Sequence, residues 1–560
     1  MTKKAQRYIV TSALPYANGD LHIGHIAGAY LPADVFVRYL RLKGQDVIFI
    51  CGTDEHGVPI TITAEKEKKT PKEVIDYYYK RQGRAFKGLG IEFDIFSRTS
   101  KKIHHKTAQD FFLKILNKGY ITKKKEKQFY CRNCKRFLPD RYIEGICPEC
   151  GYEYARGDQC EQCGKWLSPA DLKSPTCKIC DTKELEERET EHWFFELPKF
   201  EKWLQKWLKN KKSWKRNVRD FCLNLLKKGL PPRPITRDLK WGIPAPLKEA
   251  KGKVIYVWFE APIGYISATK DWAEKTGKKD KWKKYWQDKK TKLVQYIGKD
   301  NIVFHALIWP AVLKAYGGFV LPADIPANEF LNIKGEKLST SRHYAVWVLD
   351  YLKNFNPDSL RFYLELNAPE TKDADFTWKD FQETNNKILA NILGNFVNRT
   401  VSFVNKNFGG KVPAFKNLSA QDKKTLQARE KTAGKIAVHL EKYGVSKAVK
   451  EFIALAKLGN QYFDQQKPWE TIKTKKQDAA NALYVCLNIV YSLAVIGAPF
   501  LPFTSQKILD QLNIKKDLSE LRWADAGKLL KAGQKIKKPE IIFRKIEDKE
   551  VEREEKKLQR

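Results

Sequence analysis

Eight of the eleven cysteines fall in four Cys-x-x-Cys pairs within one stretch: Cys131 and Cys134, Cys147 and Cys150, Cys160 and Cys163, Cys177 and Cys180. Thiolates at this spacing close tetrahedral metal sites, and eight of them are enough for two Cys₄ zinc centres. A redox dithiol would explain one such pair but not four in a single polar block, and a secreted disulfide framework would not show this metal-ligand spacing. Cys51, Cys222 and Cys486 sit apart in apolar surroundings. Both metals are expected to be structural, because no spare ligand or open coordination position is apparent. So polar a block has little core of its own and needs the ions for its shape.

The block interrupts a different pattern. The chain opens with the strand-like run Tyr8-Ile-Val-Thr-Ser-Ala, the turn-rich Pro15-Tyr-Ala-Asn-Gly-Asp, a helical stretch over 23–42 and a second strand-like run, Val47-Ile-Phe-Ile-Cys51. This order predicts a βαβ unit of a parallel sheet, hence an α/β domain. Strand-like runs return after the block at Val254-Ile-Tyr-Val-Trp-Phe and Leu293-Val-Gln-Tyr-Ile-Gly, so the cysteine block reads as an insertion into the sheet domain. From about Asn385 the apolar period is helical, with Gly and Pro mainly at breaks such as Gly409-Gly410, Pro413 and Lys467-Pro468, which predicts a helix bundle. The apolar stretch 482–503 is long enough to raise a membrane span, but Asn488 and Ser492 interrupt it and Pro499 and Pro502 close it. A buried bundle helix is expected, with no membrane partner. The tail after 533 has one short apolar run, Ile541-Ile-Phe, and then dense mixed charge, and is expected to pack briefly before fraying.

Lys and Arg number 104 against 66 Asp and Glu, a net charge of +38. Such an excess attracts polyanions, and nucleic acid leads among them, although a Lys-rich solubilising surface has the same composition. The first residues run straight into a strand without the apolar core of a signal peptide, which implies a cytoplasmic protein.

Two short strings carry the chemistry. His22-Ile-Gly-His25 lies where the first loop meets a helix, and a helix start offers unpaired N–H groups and positive dipole to a phosphate. Gly24 lets a nucleotide approach closely, and each imidazole can donate to charge that builds during adenylyl transfer. Far along the chain, Lys337-Leu-Ser-Thr-Ser-Arg342 follows Gly335 and could bring cations and hydroxyls onto the same triphosphate. Together the strings resemble the two signatures of class I aminoacyl-tRNA synthetases. Ala13-Leu-Pro-Tyr-Ala-Asn-Gly19, Thr53-Asp-Glu-His-Gly57, Thr236-Arg237-Asp238, Val257-Trp-Phe-Glu-Ala-Pro-Ile-Gly-Tyr265, Gly298-Lys-Asp-Asn301 and His305 sharpen the likeness to the methionyl-tRNA synthetase family. These matches run in order over residues 8–470.

The resemblance implies a Rossmann-type catalytic domain in two parts (1–121 and 191–330, the second with a connective segment), a zinc-binding insertion (122–190) and a signature-loop and stem-contact region (331–384). An α-helical anticodon-binding domain (385–533) and a charged tail (534–560) follow. It assigns Ala13, Leu14, Tyr16, Trp258, Ala261, Pro262, Tyr265, Asn301 and His305 to a methionine pocket. Asp54 would take the ammonium group, held by Arg237. Trp and Tyr rings suit a flexible thioether. ATP, brought with Mg²⁺, would meet His22, His25, Lys337, Ser339, Thr340 and Ser341. The family commonly has lysine where Thr340 stands, so Lys337 and Arg342 are expected to supply the charge. The zinc pairs are implied to nest, the inner two on one ion and the outer two on the other. Asn395 and Arg399, four apart on one helix face, with Trp469 at the Lys467-Pro468 break, are implied to read the anticodon of tRNA(Met), initiator included. Family members edit homocysteine inside the synthetic site, and no separate editing module is visible. The chain ends soon after the helical module, and a monomer is expected. The nearest rivals are synthetases for branched aliphatic residues, which carry a long editing insertion, or for cysteine, which place zinc at the amino-acid site. A zinc-bearing tRNA-binding protein that lost catalysis is the rival from another class, and Thr340 is its best support.

Overall fold

The computed structural model describes residues 5–139, 142–157, 160, 162–163, 165, 167–337 and 344–558. Its centre is a parallel sheet in the spatial order Ile95–Arg98, Asp46–Thr53, Arg7–Ser12, Lys292–Gly298 and Pro322–Asp324, with Ala327–Asn328 pairing beside Lys292–Gly298. Central strands of such a sheet are covered on both faces, which is why they read as unbroken apolar runs. Ile9, Val10, Ile48, Phe49 and Ile50 are all buried. One face packs with helix Leu31–Leu42 against the core that continues into the C-terminal bundle. The other packs against Lys102–Asn117, Ile263–Lys275 and Trp309–Tyr316.

Two of the helices that leave this sheet share a local departure. Ile26–Tyr30 and Phe304–Ile308 are wound as π-helix, and in each case a proline follows in the second position after, Pro32 and Pro310. Proline lacks the N–H that would donate into the preceding turn, and its ring crowds the carbonyl four residues back, so a wider turn relieves both. The sequence predicts the helix over 23–42 but not this widening. The first π turn directly follows His25, and the second contains His305.

The cysteine block is carried on a long antiparallel ribbon, Ile121–Cys131 against Leu185–Phe195, in register from Ile121↔Phe195 to Cys131↔Leu185. At its tip, Leu138, Tyr142, Ile143, Ala155, Leu167 and Leu172 gather around the buried cysteines as a small core.

The C-terminal module is helical: Asn395–Asn407, Ala420–Leu440, Val445–Gln466, Pro468–Thr474, Lys476–Gly497 and Pro502–Gln511. Lys476–Gly497 is long and apolar enough to cross a membrane, and the apolar window that qualifies it is wholly buried among its neighbours. Helix-forming residues end at Gly497, and Pro502 opens the next helix, as the prolines foretell. The bundle is pinned to the sheet domain by Arg361, which is fully buried. It pairs with Asp34 at 2.8 Å and donates to the carbonyls of Pro499, Phe500 and Leu89.

The tail corrects the sequence reading. Beyond Ile546 it forms the helix Asp548–Leu558, which docks on Trp378–Glu383 with Val551 and Glu554 buried. Asn386 and Gln382 both donate to the Ile546 carbonyl, fixing the entry of the chain. Dense charge hid the narrow face on which those two buried residues lie.

Candidate active site

Strand order reverses between Arg7–Ser12 and Lys292–Gly298, and a crevice opens at such a switch point beyond the carboxyl ends of the strands. The loops that leave these ends carry most of the predicted residues. The Ala13 N–H donates to Tyr296 O at 3.0 Å, and Asp54 N–H donates to Pro15 O at 2.8 Å, so the first two loops are tied edge to edge.

An aromatic pocket lines this crevice. Trp258 stacks on Phe304 with centroids 4.1 Å apart and planes 18° apart, and Tyr16 meets Trp258 edge to face at 6.3 Å. The Tyr265 hydroxyl donates to His305 Nε2 at 2.9 Å, because His305 Nδ1 lies 3.1 Å from the Asn301 carbonyl, which can only accept. Burial lowers the His305 pKa to about 4, so the ring is neutral, consistent with that tautomer. Leu14 packs closely on Gly264: a Cβ there would come within 2.9 Å of Leu14 Cδ1. Pro262 is buried, and Ala13, Ala261 and Asn301 are half-buried.

Asp54 is buried at the edge of the pocket. Burial and then the nearby Glu260 carboxylate, with Glu55, push its pKa well above the ordinary carboxylate range. Arg237, the residue expected to hold Asp54, packs on an aromatic ring. The Arg237 guanidinium lies 3.7 Å from the Tyr256 ring centroid and donates to the carbonyls of Thr236 and Pro234. The short strand Thr236–Arg237 pairs with Val254–Ile255, and this holds the guanidinium against its own backbone turn and the next aromatic. Arg237, Tyr16 and Trp258 nevertheless line one cleft, with Tyr256, Val257 and Trp241.

His22 caps the helix start Ile23–His25, and its backbone N–H donates to His25 Nδ1 at 3.2 Å, leaving the His25 proton on Nε2. The rings stack 3.7 Å apart. Burial lowers His25 to about 4, and burial plus the neighbouring His25 lowers His22 well below its ordinary value, so both rings are neutral N–H donors. His22 Nδ1 is buried without a partner. Gly24 is half-buried beside them.

The segment that follows the second signature is paired by its backbone to the first. Ile23 N–H donates to Val346 O at 3.1 Å and Val348 N–H to Leu21 O at 3.0 Å, with His22 bridged to Trp347. Ahead of the signature, Lys334 and Gly335 both have positive φ, the two-residue turn that folds Leu331–Ile333 back on Glu336–Lys337. Lys337 ends that strand; its side chain, and Ser339, Thr340, Ser341 and Arg342, lie outside the described residues.

The cysteines form two groups. Cys131, Cys134, Cys177 and Cys180 make one, Cys147, Cys150, Cys160 and Cys163 the other, with all Sγ atoms of a group within 4.8 Å. The closest cross-pair separations are 3.6 and 3.9 Å in each group. A tetrahedron with metal–sulfur bonds of about 2.3 Å requires edges of about 3.8 Å, so the thiolates fit a tetrahedral soft ion. The outer and inner pairs nest, as the resemblance implies.

Comparison with known proteins settles the family. A profile described as tRNA synthetases class I (M) matches residues 8–401, and one described as the anticodon binding domain of methionyl tRNA ligase matches 412–559. The chain belongs to the methionyl-tRNA synthetase family. It is 48% identical over 563 residues to the methionine–tRNA ligase of Bacteroides fragilis, covering 100% of this chain and 81% of that one. Against the Pyrococcus furiosus ligase the identity is 47% over 558 residues, 97% of this chain and 76% of the other. Its fold is similar to that of Mycobacterium tuberculosis methionyl-tRNA synthetase bound by methionyl-adenylate, with a TM-score of 0.80 and 25% identity over 96% of this chain and all of that one.

In this member of the methionyl-tRNA synthetase family, the three residues assigned to the anticodon share one face. Trp469 is 39% exposed and stacks on Phe463 at 6.1 Å and 24°. Arg399 lies over Phe463 at 4.0 Å and over Trp469 at 6.0 Å, and pairs with Asp464 at 2.7 Å. Asn395 is exposed one turn before it. Lys467, at φ +42°, ends helix Val445–Gln466 and starts Pro468–Thr474, which turns Trp469 outward. Sequence reasoning missed Phe304, Trp347, and the buried set Glu260, His56 and His104. Glu260 stands inside the Val257 to Tyr265 run, and an acidic residue among aromatics was the signal available.

Proposed function

We propose that the chain is a methionine–tRNA ligase that condenses L-methionine with ATP to methionyl-adenylate and pyrophosphate, then transfers methionine to the 3′ end of tRNA(Met). The observation that carries this reading is the Tyr16–Trp258–Phe304–His305 pocket opening at the switch point beside the His22 and His25 helix start. Stacked rings and a neutral histidine accept an apolar thioether, and Asp54 takes the ammonium group and ionises against it. The methionine carboxylate oxygen then attacks the α-phosphorus of ATP, forming the acyl–phosphate bond as the bond to pyrophosphate breaks. His22 and His25 donate N–H bonds to the phosphate oxygens as their charge grows, a contribution that is larger in the transition state than in the ground state. Lys337 and Arg342 add positive charge from the second signature, with Ser339, Thr340 and Ser341 on the triphosphate. In the second step the terminal hydroxyl of tRNA attacks the activated carbonyl and AMP leaves.

Zinc suits both cysteine groups as a structural ion that stiffens the ribbon tip, and Mg²⁺ accompanies ATP. Asn395, Arg399 and Trp469 read the anticodon of tRNA(Met), initiator and elongator alike, and the enzyme acts as a cytoplasmic monomer. The test is ATP-dependent charging: labelled methionine should become acid-precipitable only with both ATP and tRNA(Met) present. Charging of a leucine or isoleucine tRNA with equal efficiency would overturn it.

A further inference from the structure

Behind the methionine pocket lies a buried hydrogen-bonded cluster that the reaction above does not use. The Glu260 carboxylate is fully buried, with Oε1 at 2.8 Å from His56 Nδ1 and Oε2 at 2.5 Å from His104 Nε2. His104 Nδ1 in turn meets Ser267 Oγ at 2.9 Å. Three parts of the site meet at this carboxylate. Glu260 belongs to the short helix Val257–Glu260, which carries Trp258 and leads directly into Ala261, Pro262 and Tyr265. His56 stands two residues after Asp54, and its N–H lies 3.4 Å from Asp54 Oδ1. His104 is on helix Lys102–Asn117, packed against Ile263–Lys275.

We propose that Glu260 is a positioning residue for the amino-acid site: through His56 and His104 it clamps the aromatic wall of the pocket onto the loop that bears Asp54. The proposal rests on the pocket assignment above and goes further by giving a role to groups that touch no substrate. Breaking one side of a buried hydrogen-bonded network leaves the remaining groups unpaired in a low-dielectric site, and the surrounding loops must move to resolve them. Here the loops that would move are the two that shape the amino-acid pocket. Burial alone would raise the Glu260 carboxyl, yet its contacts with His56 and His104 outweigh burial and hold it below the ordinary carboxylate range. Glu55, next to Asp54 in the chain, has partners of its own: it accepts from Thr53, Ser100 and Arg98.

The test is steady-state ATP–pyrophosphate exchange by the full chain with Glu260→Gln, which keeps the shape and removes the charge. The expected result is a rise of tenfold or more in KM for methionine, with KM for ATP and kcat within about threefold of the parent. A loss of kcat alone with KM for methionine unchanged, the signature of a smaller folded fraction, overturns the proposal, as does an unaltered enzyme. His104→Gln removes one of the two donors and should raise KM for methionine by a smaller factor. It carries the test if Glu260→Gln does not fold, and an unchanged KM there overturns the clamp. Asp54→Asn measured in parallel separates the two readings. If it leaves KM for methionine unchanged while Glu260→Gln raises it, the ammonium assignment falls and the clamp stands.

Discussion

His22 and His25 stack face to face at 3.7 Å, and the backbone of the first donates to the ring of the second. This pairing fixes the His25 tautomer before any nucleotide arrives, with Nε2–H free to donate and His22 Nδ1 still unpartnered. His25→Ala should therefore lower kcat for adenylate formation by about 10²-fold, the usual effect of losing one preorganised donor, and leave KM for methionine within about threefold. Pre-steady-state adenylate formation measures it. An unchanged rate would remove the pair from the chemistry.

Stability should follow the buried imidazoles. His25 and His305 are both lowered to about 4 by burial, whereas an unfolded chain has histidines near 6.5. The unfolded state takes up the protons first. The stabilisation is therefore complete above about pH 6.5 and is lost as pH falls towards 4. Thermal midpoints measured from pH 8 to pH 4.5 should fall more gently for His305→Gln than for the parent. Parallel curves would contradict this.

The nested cysteine groups predict a specific pattern of metal loss. Cys147→Ser and Cys160→Ser should each cost the same single zinc, while Cys131→Ser and Cys177→Ser should each cost the other, as read by metal analysis of the purified variants. Loss of one shared ion by Cys131→Ser and Cys147→Ser would show sequential pairing instead.

Much of the site was legible because its residues sit in local strings. The four Cys-x-x-Cys pairs, His22 to His25 and the run from Val257 to Tyr265 carry their spacing in the sequence, and the apolar runs of the sheet betray burial on both faces. What was not legible depends on contacts between distant segments. The contact of the Arg237 guanidinium with Tyr256 depends on the pairing of Thr236–Arg237 with Val254–Ile255, which no local string announces. Phe304 looks like any core aromatic until Trp258 is laid on it. Glu260 is one acid in an aromatic run until His56 and His104 arrive from two other elements, and nothing local announces them. The helix at Asp548–Leu558 escaped because its buried face is narrow and charge dominates its composition.

Trp469, with more than a third of its surface open and Arg399 and Phe463 beside it, offers a stacking platform for an unpaired base. Stacking of one base is worth roughly 1–3 kcal/mol, so Trp469→Ala should reduce aminoacylation of tRNA about tenfold or more while methionine activation stays nearly intact. Equal loss in both reactions would mean that Trp469 holds the fold. No loss in either would place anticodon reading elsewhere.

The central claim, that the pocket at the switch point selects methionine for activation, is tested most directly by ATP–pyrophosphate exchange with each amino acid in turn. Methionine alone should support exchange, because the stacked Trp258 and Phe304 and the neutral His305 offer apolar and polarisable contacts to an unbranched thioether. Exchange with leucine or isoleucine comparable to that with methionine at the same concentration would contradict the account.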